Sequence, residues 1–277
     1  WGYDNRELLG MYAGASADGE CPLVVDTSTP SCGDSRLGCW VCTLVEQDKS
    51  MAAMIQNDQE KEWMMPLLDL RNALDFRGGP VDAQEHSETD RRLRDFRRMN
   101  GAVQLMKDGR PIPGPYIQEA RETWLRGLLQ AQTQIRRHGP PEVRHLALIA
   151  AEELQEIRRI WVIEKHEMED SLPRIYRDVT GEEYPGRRLD DTLSLSPEDM
   201  DDLRALCGGD TLHFQLTREL LSITRQQRNS ARRVGLNQRI EQALRRHFYD
   251  DREDALERAR KIAADRKTVA ERHQQAH

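Results

Sequence analysis

The chain has 277 residues, of which 38% are hydrophobic and 32% charged, with a formal net charge of −7 and a pI near 5.7. These values suit one or two folded domains with large charged surfaces and argue against wholesale disorder. The acidic total does not mark a general nucleic-acid binder, and no apolar run is long enough to span a bilayer. Because the sequence has no signal peptide and begins with Trp1, we expect a cytoplasmic fragment or processed product.

The first part of the chain predicts a turn and short helix over residues 1–20, followed by a loop rich in Cys, Pro, Ser and Gly over residues 21–42. Val24 and Val25 are candidates for a short strand in this loop. A helix is predicted from Thr43 and another from Pro66, since proline is suited to a first helical turn. We expect the Met-rich segments "MAAMI" and "WMM" to fill the core.

The middle of the chain predicts helices separated by Pro/Gly loops. "SETDRRLRDFRRMNG", which begins at Ser87, combines capping chemistry with five arginines and three acids, typical of a solvated helix. Residues 101–107 are candidates for another short strand. A long helix over Tyr116–His138 is predicted with one apolar stripe, whose members are Tyr116, Ala120, Trp124, Leu128, Ala131 and Ile135.

The next helix is predicted to carry Leu154, Ile157, Trp161 and Met168 on one side. The segment "EKHEMED" contains His166 and Glu167, but it lacks the second histidine of a zinc-protease motif and therefore favours a solvated face.

Two further helix starts are marked by local chemistry. Ser196 is predicted as an N-cap with Pro197 at the first helical position, and Asp210 is predicted to start the following helix. Gly208 and Gly209 are suited to ending the helix that begins at Pro197. Cys207, near that end, is predicted to be a small buried residue.

Four of the five cysteines fall within 22 residues, which indicates metal binding in a reducing compartment. They are Cys21, Cys32, Cys39 and Cys42. The close spacing of the last two lets one turn aim both thiolates at one centre. Four thiolates suit tetrahedral zinc or a 4Fe-4S cluster, and the single close pair favours iron–sulfur over zinc. Trp40 is predicted to shield such a cluster from water.

The cysteine segment "ECPLVVDTSTPSCGDSRLGCWVCTLVEQDKSM" resembles the DndC-type sulfurtransferases of bacterial DNA phosphorothioation, relatives of phosphoadenylylsulfate (PAPS) reductase. "WGYDNRELLGMY", "EWMMPLLDLRNAL", "RRMNG", "GPY" and "EELQEIRRIWVIEKHEMEDSLPRIY" extend the resemblance over most of residues 1–225. It implies Cys21, Cys32, Cys39 and Cys42 as ligands of a 4Fe-4S cluster.

The resemblance also implies an ATP-dependent transferase that inserts sulfur into the DNA backbone in a restriction-modification setting. The implied partners are DNA, a cysteine desulfurase as sulfur donor and other phosphorothioation proteins, with ATP and Mg in the complete enzyme and no membrane. The ATP loop of the type S-G-G-x-D-S is absent from this sequence, so we expect the C-terminal part of such an enzyme, inactive alone. No catalytic residue is assigned.

The predicted fold is mainly α with a few short strands: the C-terminal part of an α/β ATP-pyrophosphatase (adenine nucleotide alpha hydrolase-like) protein plus a helical extension. The predicted divisions are residues 1–55, which end the ATP-pyrophosphatase-like domain and carry the cysteine loop, a helical domain over 56–190, and a charged helical region over 191–277. The alternative function is a non-enzymatic nucleic-acid-binding or scaffold module with structural zinc.

Two sets of cations are candidates for phosphate contact. Arg36 and Lys49 flank the cysteines and are suited to a nucleotide or DNA phosphate, or to ordinary salt bridges. A basic run near the C-terminal end is predicted to bind DNA through residues that recur every seven positions, provided that Gly235 does not interrupt the helix; the alternative is a solvated helix. These residues are Arg225, Arg232, Arg239 and Arg246. An apolar stripe is expected to dock this helix and comprises Leu236, Ile240, Leu244 and Phe248.

Overall fold

The structure is a computed structural model and describes residues 40–41, 48–74, 89–186, 195–228 and 234–275. Within these ranges the chain is mainly helical, as predicted, and it contains no strand. Two isolated antiparallel bridges pair Arg94 with Tyr116 and Leu105 with Pro111. The strand predicted over 101–107 is therefore wrong, and the one predicted at residues 24–25 lies outside the described residues.

The described helices succeed one another along the chain in the order given below. One 3₁₀-helical segment, Gln59–Met64, joins the first two, and residues 89–92 form a single helical turn. The α-helices are α1 Lys49–Asn57, α2 Met65–Leu74, α3 Gln118–His138, α4 Ala151–Arg159, α5 Ser171–Thr180, α6 Pro197–Leu206, α7 Thr211–Gln226, α8 Leu236–Arg246 and α9 Arg252–Gln275.

Side-chain caps fix the starts of three helices. Asp48 accepts a hydrogen bond from the Met51 amide at 2.9 Å and caps the start of α1, whereas Thr43, the predicted start of a helix, lies outside the described residues. Asp210 accepts from the first-turn amides of α7, as expected for a helix start. Ser196 caps α6 with Pro197 in its first turn, which confirms that prediction.

Replacing Ser196 with Ala is expected to lower the free energy of unfolding by about 1 kcal/mol. The Ser196 hydroxyl accepts from the Asp199 amide at 3.1 Å, and the Asp199 carboxylate accepts from the Ser196 amide at 2.9 Å. Ser196→Ala removes the first of these two hydrogen bonds and leaves the second in place. Urea unfolding measures it, with Ser196→Thr as the control that keeps the hydroxyl. Equal unfolding midpoints for the two variants would contradict the capping role.

The chain divides into two compact units. Of the described residues, unit 1 holds 40–41, 48–74, 89–90, 122–149 and 178–182. Unit 2 holds 91–121, 150–177, 183–186, 195–228 and 234–275. The three-part division predicted from the sequence stays a prediction.

Unit 1 has a core built largely from its first helices. Met51, Ile55, Leu67 and Ile135 form a buried cluster, and Trp40 packs against it. The prediction of a core role is confirmed for Met51. The buried face of α3 differs from the predicted stripe, because Trp124 and Leu128 are only partly buried. The residues that α3 buries are Ala120, Leu125, Leu129, Ala131, Gln132 and Ile135.

Unit 2 has a second apolar cluster in which Met168, Met200, Cys207 and Phe214 pack together. Cys207 is buried, as the sequence predicted. It follows the last residue of α6, and Gly208 and Gly209 then adopt positive φ angles that end the helix and turn the chain into α7. This turn positions α7 for the site described next.

Candidate functional site

The predicted cluster ligands and Arg36 lie outside the described residues. Nearby, Trp40 is half-buried against the unit 1 core, and Lys49 is the first residue of α1. In the described part of the chain, no group of three or more His, Cys, Asp or Glu side chains is arranged to hold a metal ion. The proposed roles of the cysteines, Arg36 and Lys49 stay predictions.

The described part of unit 2 contains a pocket of about 600 Å³. We call it the unit 2 pocket. Six segments line it: the loop over residues 95–101, residues 115–121 at the start of α3, the turn after α4, Arg204 of α6, residues 209–219 at the start of α7, and the end of α8. Its volume lies within the range of small-molecule sites. Seven arginine and lysine side chains and five carboxylates line it, so charges of both signs are concentrated there with an excess of cations.

One wall of the pocket joins the loop over 95–101 to the end of α8. The Arg97 guanidinium donates to the Asp95 carboxylate, with Nη2···Oδ2 at 2.8 Å, and to the Arg246 carbonyl at 3.2 Å. A Cβ on Gly101 would lie 2.5 Å from the Arg246 Cα, so the backbones touch closely there. Arg97 is therefore a buried cap on the carboxyl end of α8 and not part of a solvated helix, which corrects the sequence interpretation.

A second wall comes from the turn after α4. The helix continues as a π-helical turn, Ile160–Glu164, and ends at Lys165. His166 has a φ of 59°, an uncommon left-handed conformation for a residue other than glycine. Met168 is thus beyond the helix, which corrects the prediction that it continues the α4 stripe.

Glu167 is the most buried charged residue of this turn. Its side chain is 1% exposed and forms an ion pair with Arg121, while its Oε2 atom is buried without a hydrogen-bond partner. Burial raises the pKa of Glu167 to about 7, although Arg121 and Arg218 act in the opposite direction. The prediction of a solvated face for "EKHEMED" is therefore wrong at Glu167.

A second buried carboxylate, Glu219 of α7, lies at the centre of a small polar network. It forms an ion pair with Arg246 and lies 3.8 Å from one ring nitrogen each of His166 and His247. Burial lowers the pKa of both histidines, which favours their neutral forms near neutral pH. The negative charge of Glu219 is consequently matched mainly by Arg246.

The four arginines predicted to bind DNA do not share one helix. Arg225 lies in α7, which ends at Gln226, whereas Arg239 and Arg246 lie in α8. Gly235 has a φ of 76° immediately before α8, so it interrupts the helix as the sequence analysis allowed. Arg232 lies outside the described residues. The seven-residue stripe is therefore not formed by a continuous helix, and DNA contact by these arginines stays a prediction.

The apolar face of α8 also differs from the predicted stripe. Leu244 and Phe248 are 46% and 72% exposed, whereas Ala243 is completely buried. Arg239 lies on the partly buried side and donates to Gln226 at 2.5 Å, so it links α8 back to the end of α7. The helix thus docks through a face shifted from the predicted one, and this shift places Arg246 in the pocket lining.

Sequence reasoning did not identify Arg121, Lys165 and Arg218 as site residues. They come from α3, the turn after α4 and α7, and only the tertiary fold brings them to one pocket. The single local signal was the dense charge of "EKHEMED". The arrangement offers cationic donors beside a buried carboxyl group, a combination suited to holding an anion and moving a proton.

Comparisons with known proteins add no further assignment, because no family model, curated protein or solved structure matches this chain. Within the described residues, no helix combines the length and low polarity needed to cross a membrane.

Proposed function

We propose that this chain is the iron–sulfur-bearing part of a sulfurtransferase that uses ATP to insert sulfur into the DNA backbone. The observation that carries the proposal is the set Cys21, Cys32, Cys39 and Cys42 in a segment that resembles DNA phosphorothioation enzymes. Four thiolates match a 4Fe-4S cluster in ligand number and softness. When bound, the cluster would supply redox or sulfur-handling chemistry.

The cation-rich pocket of unit 2 supports the nucleic-acid side of the proposal. Guanidinium groups form paired hydrogen bonds with phosphate oxygens, and the backbone phosphates of DNA are the natural ligand for such donors. The proposed partners are DNA, a cysteine desulfurase that delivers sulfur, and other proteins of the same modification system. ATP with Mg belongs to the complete enzyme.

The cysteine set is expected to act as one unit. Serine at any of Cys21, Cys32, Cys39 or Cys42 is expected to abolish the iron–sulfur absorbance of anaerobically purified protein and to lower its stability, because ligand loss is coupled to folding. Iron and acid-labile sulfide analysis measures the same loss.

Cys207→Ser is the matched control, because Cys207 is buried in the apolar cluster of unit 2. This variant is expected to leave the iron–sulfur absorbance intact. Zinc without iron or sulfide in the anaerobically purified protein would favour the alternative function, a non-enzymatic nucleic-acid-binding or scaffold module with structural zinc. Bleaching by Cys207→Ser but not by Cys21→Ser would overturn the ligand assignment.

A further inference from the structure

Four of the five acidic residues that line the unit 2 pocket have the following partners. Asp95 binds Arg97, Glu219 binds Arg246, and Asp210 accepts from the first-turn amides of α7. Glu164 forms an ion pair with Arg159 at 2.6 Å. Glu164 and Asp95 also act on Lys165 at longer range, since their negative charges raise its pKa.

Two cations of the pocket form no direct ion pair, although both lie within the electrostatic reach of Glu167. Among the described residues, no carboxylate forms an ion pair with Lys165 or Arg218. Arg218 donates to the Gln118 side chain at 2.8 Å and lies with its guanidinium carbon 5.6 Å from the Phe214 ring centroid. Both contacts orient the guanidinium group without cancelling its charge.

Like charges are also held close together here. Burial lowers the pKa of Lys165 and the nearby charge of Arg121 lowers it further, whereas Glu164, Glu167 and Asp95 act in the opposite direction. Arg121 has a carboxyl partner in Glu167, but burial favours the protonated form of that group. The Nε atoms of Arg121 and Arg218 are buried without hydrogen-bond partners. Crowded cations are costly, and a bound anion would relieve that cost.

We propose that the unit 2 pocket binds the phosphate group of a nucleotide-sized ligand, with Arg121, Arg218 and Lys165 as the contacts. A phosphate monoester carries up to two negative charges and three acceptor oxygens, which three convergent cations match better than a carboxylate would. The volume of about 600 Å³ exceeds what a phosphate ion alone requires and accommodates an attached nucleoside. This inference rests on the pocket alone and does not depend on the iron–sulfur proposal.

The phosphate has two possible sources with the same chemistry. One is a free nucleotide, and the other is a nucleotide of a single DNA strand. Three probes separate them: thymidine 5′-monophosphate, a short single-stranded oligothymidylate and thymidine itself. Thymidine is the matched ligand control because it has the same base and sugar without the phosphate.

The experiment is isothermal titration of the full chain in buffer free of phosphate and sulfate. Thymidine 5′-monophosphate or the oligonucleotide is expected to bind at least about tenfold more tightly than thymidine. Arg218→Gln is expected to weaken that binding by about tenfold, the scale of one charge-assisted contact. Arg260→Gln is the control variant, because Arg260 is exposed in α9 and does not line the pocket.

A second variant guards against a folding defect. Among the described residues the Lys165 side chain forms no hydrogen bond, so Lys165→Met removes its charge without breaking one, and it is also expected to weaken binding several-fold. An oligonucleotide that binds more tightly than the monophosphate identifies the DNA strand as the source; equal affinities identify the free nucleotide. Equal binding of thymidine and its monophosphate, or unchanged binding in both variants, would overturn the proposal.

Discussion

Replacing Asp170 with Ala is expected to lower the free energy of unfolding by about 3–5 kcal/mol. Arg158 donates from Nε to both carboxylate oxygens of Asp170, at 2.8 and 3.0 Å, and from Nη2 as well. The two side chains are only 6% and 14% exposed. Removing the acid therefore leaves a buried guanidinium without its main counter-charge, and water does not replace the lost contacts.

Backbone conformation adds to this cost. Asp170 has a φ of 44°, a left-handed conformation that aspartate tolerates better than alanine. Asp170→Asn keeps the shape and the tolerance but removes the charge, so it separates the two contributions. Asp201→Ala is the matched surface control, because the Arg204–Asp201 pair is 54% and 77% exposed. Urea unfolding measures all three, and equal losses for Asp170→Ala and Asp201→Ala would refute the buried-pair argument.

Glu167→Gln is expected to remove a pH dependence of stability worth about 3 kcal/mol. The pKa of Glu167 is raised from 4.5 to about 7 in the folded chain. Between these values the folded protein keeps a proton that the unfolded chain has lost. The free energy of unfolding of the native protein therefore falls as pH rises through this window and no longer changes from this source above it.

Unfolding free energies of the native chain and the variant at pH 5, 6, 7 and 8 test this expectation. The comparison isolates Glu167, because contributions from His166 and His247 are present in both proteins. Glu241→Gln is the control, since Glu241 is 61% exposed in a surface pair with Arg245. Parallel pH profiles for the native chain and Glu167→Gln would show that Glu167 does not titrate in this range.

The features that the sequence predicted correctly are those decided by local chemistry. Ser196, Pro197 and Asp210 mark helix starts because a cap or a fixed φ acts within one turn of the residue itself. The burial of Cys207 was also predictable, since a small apolar side chain at a helix end is readily covered by the next element. The cap that Asp48 supplies to α1 was not among the predicted helix starts.

The features that the sequence did not predict depend on tertiary contacts. The helical spacing of Leu154, Ile157 and Trp161, continued along the sequence, leads to Met168. The helix, however, ends at Lys165. The sequence predicts that Arg97 is one of several solvated arginines. In the structure, the end of α8 lies beside Arg97 and accepts a hydrogen bond from it. Such outcomes are decided by neighbours distant in the chain, which no local pattern encodes.

The contact between Arg97 and the end of α8 has a consequence for the order of folding. Arg97 and Arg246 are 149 positions apart in the sequence. Bringing them together has a larger loop-closure entropy cost than forming a helical turn, so we expect this wall of the pocket to form after the helices. We therefore expect the pocket to form late in folding. It also opens whenever α8 detaches locally, and a molecule that occupies it draws the population back to the fully assembled unit by mass action.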